Sequence, residues 1–98
     1  MLNQINVGLI GAGSGAQVFH IPVIQSVPEL RLKTVVDRHG DRNYAPGVEV
    51  VRDAATLLED RAIDLVVIAT PNTSHFDLAR QSLIAKKHVV VDKPFTTT

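Results

Sequence analysis

Four short apolar runs punctuate the chain, at Ile5–Ile10, Leu32–Val36, Leu65–Ile68 and His88–Val91. They are rich in β-branched residues, bounded by Gly, Pro, Asp or Asn, and apolar at nearly every position. Alternation would mark a strand with one wet face, whereas continuous apolarity marks a strand covered on both faces by helices. Stretches with helical spacing lie between the runs. Val18–Val27 carries Phe19, Val23, Ile24 and Val27, and Asp53–Glu59 is an Ala/Leu-rich segment. Thr73–Ala85 places Phe76, Leu78, Ala79, Leu83 and Ile84 near one stripe. A further short strand is predicted at Val48–Val51, and the polar, turn-rich Arg38–Gly47 reads as a loop.

This alternation predicts an α/β fold, a Rossmann-type doubly wound parallel sheet with helices on both faces. About five strands are accounted for, where such a domain ordinarily runs to six. The 98 residues are therefore expected to form an incomplete sheet, a fragment of a longer protein. An open edge at the last strand predicts a marginal, aggregation-prone isolated chain.

Composition narrows the class. The chain is 45% hydrophobic and 20% charged, the balance of a globular domain rather than a disordered one. Ten Lys and Arg offset ten Asp and Glu, which removes the electrostatic case for a nucleic acid or an anionic membrane as partner. Cysteine is absent, so disulfides and thiolate metal sites are excluded, and no metal site is predicted. The N-terminus has neither the basic start nor the apolar stretch of a signal peptide, and no run approaches the roughly 20 apolar residues of a membrane span. The expected location is the cytoplasm.

The candidate chemistry begins at Gly11-Ala12-Gly13-Ser14-Gly15-Ala16, directly after the first strand and before a helix. This is a G-x-G-x-x-G/A turn. Gly11 permits the sharp exit from the strand, Gly13 lets a pyrophosphate approach the backbone, and Ala16 is small enough for close helix–strand packing. The helix N-terminus then offers free N–H groups to the phosphates. A glycine turn alone is weak evidence, but an acid at the end of the next strand strengthens it. That acid is Asp37, somewhat beyond the roughly 20-residue spacing expected. Its carboxylate can accept the adenosine ribose hydroxyls and would repel a 2′-phosphate, while Arg38 next to it could pair with that phosphate or stack on adenine. NAD is favoured and NADP stays open.

Two further loops fall at carboxyl ends of strands. In Ala69-Thr70-Pro71-Asn72-Thr73-Ser74-His75, Asn72, Thr73 or Ser74 would cap the following helix. His75 could reach the site or lie on the surface. Asp92-Lys93-Pro94 ends the fifth strand, where a lysine can serve as an electrophilic or acid–base group or as a surface ion-pair partner.

GLIGAGSGAQVFHIP, ATPNTSH and HVVVDKPF, in this order, resemble the N-terminal half of the Gfo/Idh/MocA oxidoreductases. The resemblance covers essentially the whole chain, and Phe19-His20 with Pro22 is most similar to the scyllo-inositol-dehydrogenase-like branch. It implies an NAD(P)-dependent enzyme moving a hydride to or from a sugar, cyclitol or related polyol, homo-oligomeric at full length. It implies that Gly11 and Gly13 cradle the pyrophosphate, that Asp37 faces the ribose, and that Thr70, Pro71 and Asn72 line the cleft with His75 near. Lys93 corresponds to the lysine of the family's Glu-Lys-Pro motif, which contacts the nicotinamide ribose and the reacting hydroxyl; Asp92 stands where Glu is more usual. A cis bond before Pro94 would be in keeping. The resemblance also places most of the substrate pocket, and a catalytic histidine, in a C-terminal domain these residues do not include. The 98 residues alone are expected to bind cofactor without catalysis. The competing reading is a regulatory protein that kept the nucleotide cleft and lost the reaction.

Overall fold

β-branched residues concentrate where the chain runs extended, and parallel pairing follows from the helices that carry it back between strands. The computed structural model describes residues 4–11, 21–37, 47–69 and 72–91. In chain order these form β1 (Ile5–Ile10), α1 (Ile21–Ser26), β2 (Leu30–Val36), β3 (Glu49–Val51), α2 (Ala54–Glu59), β4 (Leu65–Ile68), α3 (Asn72–Ile84) and β5 (His88–Val91). The strands make one sheet in the order β3-β2-β1-β4-β5, with every neighbouring pair parallel. The predicted Rossmann-type topology is thus present.

Each face of the sheet has its own core. On one side Val7, Leu9, Leu32, Val35 and Val67 pack with Ile21 and Ile24 of α1. On the other, Ile10, Val36, Val66 and Ile68 pack with Leu57 of α2 and with Ile63, and Leu78 and Ala79 of α3 lie against them. α2 sits very close to β1. A Cβ on Gly8 would fall 2.8 Å from both terminal methyl carbons of Leu57, itself fully buried, so glycine there sets the spacing of helix and sheet.

An irregularity in β2 places charge at one end of this sandwich. Val7 pairs with Leu32 but Gly8 pairs with Thr34, so Lys33 is the extra residue of a bulge. Lys33 and Thr34 both reach Glu49, with the Lys33 Nζ at 3.9 Å and the Thr34 hydroxyl at 3.4 Å. Lys33 also donates to the carboxylate of Asp60, the C-cap of α2. The other carboxylate oxygen of Asp60 accepts the Ala62 N–H, and its carbonyl accepts from Lys87 Nζ at 2.8 Å. Lys87 is buried and spends a second N–H on the Ile63 carbonyl. A cation at the C-terminus of α2 suits the helix dipole and satisfies carbonyls the helix leaves open. At the opposite end of α2, Asp53 caps the helix by accepting from the N–H and the hydroxyl of Thr56.

Three expectations about burial change. α3 does not seat the stripe of Phe76, Leu83 and Ile84: these are 82%, 64% and 70% exposed. Its sheet-facing side is Leu78, Ala79 and the fully buried Ser82, whose hydroxyl returns to the Leu78 carbonyl of its own helix. Small residues let α3 lie close to the sheet, and apolar count misjudged the face. β5 was expected to be covered on both sides, yet His88 and Val90 are exposed while Val89 and Val91 pack under α3. In α1, Ile21 and Ile24 are the buried pair and Val23 is exposed.

Two predictions follow from the termini of α2 and α3. Lys86 is the one non-glycine residue with positive φ among those described, at 64°, and the bonds from Lys86 N to the Leu83 carbonyl and from Lys87 N to the Ser82 carbonyl make a Schellman turn around it. Lys86→Gly should raise stability by about 0.5–1 kcal/mol, read as a shift of the denaturant midpoint at unchanged slope. Asp60 is held below the ordinary carboxylate value of 3.8, first by Lys33 and then by the Ala62 N–H. Its contribution is complete above that value and is lost as pH falls through the lowered one. Asp60→Asn should cost under about 1 kcal/mol near neutrality and flatten the decline of stability on acidification below about pH 4, measured by denaturation at stepped pH.

Candidate functional site

The carboxyl ends of the strands converge on one edge of the sheet. From β1 the chain passes through α1 to β2 on one side. It reaches β4 on the other side from β3, by way of α2 on the opposite face. The connections beyond β1 and β4 therefore part, and an open α/β sheet binds its ligand in the crevice made there. Beyond the paired residues of these strands the Ala69 N–H donates to the Ile10 carbonyl at 2.8 Å, holding both strand ends together up to that crevice.

Gly11 is the first residue past β1 and has φ of 100°. An L side chain rarely adopts that backbone, so the turn itself selects glycine. Asp37 is the first residue past β2, 7% exposed, and its N–H donates to the Val51 carbonyl of β3 at 2.8 Å. β3, although only three residues long, thus holds the backbone of the acid in place. Asn72 opens α3 and His75 lies in its first turn, at the same edge and one short loop after β4.

The structure therefore brings Gly11, Asp37 and the start of α3 to one edge, as the sequence indicated. Ala12, Gly13, Ser14, Gly15, Ala16, Arg38, Thr70, Pro71, Asp92, Lys93 and the bond before Pro94 lie outside the described residues. Arg52 was not singled out from the sequence. It is exposed, immediately past β3, and its only sequence signal is a cation directly after a short apolar strand.

What is described fits a dinucleotide. A left-handed glycine at the exit of the central strand leaves room for a phosphate to approach the backbone, and a carboxylate one strand away is a group able to accept ribose hydroxyls. Among the described residues no helix is long and apolar enough to cross a membrane.

Fold and edge together define a nucleotide-binding domain of the Rossmann class. Residues 5–98 match the oxidoreductase family with an NAD-binding Rossmann fold, Gfo/Idh/MocA, and the chain belongs to that family. It is 46% identical over 100 residues to the uncharacterized oxidoreductase YdgJ of Escherichia coli, covering 100% of this chain and 29% of the relative. It is 31% identical over 99 residues to scyllo-inositol 2-dehydrogenase (NADP(+)) IolW of Bacillus subtilis, covering 99% of this chain and 28% of that one. Among solved structures it is similar to KijD10, a 3-ketoreductase from Actinomadura kijaniata in complex with NADP, with a TM-score of 0.86 and 31% identity over 97% of this chain and 30% of that one. The chain spans less than a third of the length of these relatives.

Gly11→Val should therefore strain the turn by about 1–3 kcal/mol and weaken cofactor binding. Thermal unfolding and a fluorescence titration with NADH would read the two effects, both expected to move.

Proposed function

We propose that these residues are the N-terminal cofactor-binding domain of a two-domain dehydrogenase or reductase that transfers a hydride between NAD or NADP and a sugar, cyclitol or related polyol. The observation that carries this reading is the placement of Gly11 and Asp37 at the carboxyl ends of the neighbouring strands β1 and β2 in a chain of an NAD-binding oxidoreductase family. Support for the substrate class comes from relatives named for scyllo-inositol and for galactose. When bound, the nicotinamide supplies or accepts the hydride. The residues assigned to the cofactor are Gly11, Ala12, Gly13, Ser14, Gly15 and Ala16 at the phosphates, with Asp37 and Arg38 at the adenosine ribose. Thr70, Pro71, Asn72 and His75 are assigned to the cleft wall, and Asp92 and Lys93 to the nicotinamide end. Lys93 is the catalytic residue of this half, binding and polarising the reacting hydroxyl, and a C-terminal domain supplies the rest of the pocket. The protein acts as a homo-oligomer in the cytoplasm.

The test uses the full-length protein with NAD or NADP and a panel of polyols and sugars, following absorbance at 340 nm. Turnover with at least one of them is expected, and Lys93→Ala should lower kcat by about 10²–10⁴-fold. Silence across the panel with both cofactors, or full activity of the lysine variant, would overturn the assignment.

A further inference from the structure

Arg52 stands at the edge where the adenosine end is assigned. The β2–β3 register runs Thr34 with Glu49, Val35 with Val50 and Val36 with Val51, and the Asp37 N–H then bonds the Val51 carbonyl. Arg52 directly follows Val51 and Asp37 directly follows Val36, so both lie just past the last paired residues of neighbouring parallel strands, at the same edge.

Two acids close to Arg52 in the chain are engaged elsewhere. Asp53 caps α2 through both Thr56 groups, and Glu49 faces Lys33 and Thr34. Arg52 is exposed and makes no hydrogen bond or ion pair with any described residue. A guanidinium without a partner among the described residues, at the edge that carries the buried Asp37, is a group able to take a phosphate bidentately.

We infer that Arg52 is a specificity-determining residue for the adenosine 2′ position, offsetting the repulsion of Asp37 so that the site accepts a 2′-phosphate as well as a free ribose. This rests on the placement of the ribose at Asp37. The two residues act in opposite senses: Asp37 favours the free hydroxyl, and Arg52 favours the phosphorylated one.

Titration of the full-length protein with NADH and NADPH separates the two assignments. Arg52→Gln should raise the Kd for NADPH about five-fold and leave NADH within about two-fold, a contrast that Arg52→Lys partly restores and that shrinks at high salt. Equal changes for both cofactors, or none, would overturn the role of Arg52. Asp37→Ala should weaken NADH and tighten NADPH. If it moves neither, the ribose placement fails, whereas a null result confined to the Arg52 variants removes only the present inference.

Discussion

The hydrogen bond from the Ala69 N–H to the Ile10 carbonyl keeps the two central strands together beyond their last paired residues. Everything at the nucleotide edge is referred to that point. Strand β1 is the central strand of the five and feeds the core on both sides, with Val7 and Leu9 on the α1 face and Ile10 on the α2 face. Apolar burial of this kind, at about 25 cal/mol per Å², is the main favourable contribution holding the layers together. Because the connections beyond the two strand ends leave in different directions, the same packing that stabilises the sheet opens a crevice at its end.

The opposite end of the sheet is tied by charge rather than by apolar contact. The bulge at Lys33 allows a cation into the second strand, where it meets Asp60, and the buried Lys87 draws the start of β5 onto the carbonyls of Asp60 and Ile63. A buried ammonium is tolerable only when its hydrogen bonds are made, and here backbone carbonyls that no helix or strand uses provide them. This cluster sits at the amino end of β5, so it anchors the strand whose other end leads toward Asp92 and Lys93.

β3 carries more of the site than its length suggests. Three residues suffice to hold the Asp37 backbone through the Val51 carbonyl and to place Arg52 at the same edge. A carboxylate and a guanidinium carried at the ends of neighbouring strands can tune recognition of a ribose without any change in the fold.

Much of this was legible in the chain. The continuous apolar runs identified the strands because a parallel sheet buries nearly every position, and the turn after β1 was legible because an L side chain rarely adopts the backbone found at Gly11. The exposed flank of α3 and the half-open β5 were not legible, since periodicity counts apolar residues without weighing small ones such as Ser82 that permit close packing. Nor did the sequence mark Lys87 as buried or Arg52 as lying at the same edge as Asp37. Such positions depend on which strands become neighbours, and that is a property of strand order and register. By itself the sequence determined the elements, the class of fold and the glycine required at the exit of β1, all governed by local pattern. The tertiary structure alone decided which charges meet, because residues far apart in the chain come together only when the sheet assembles.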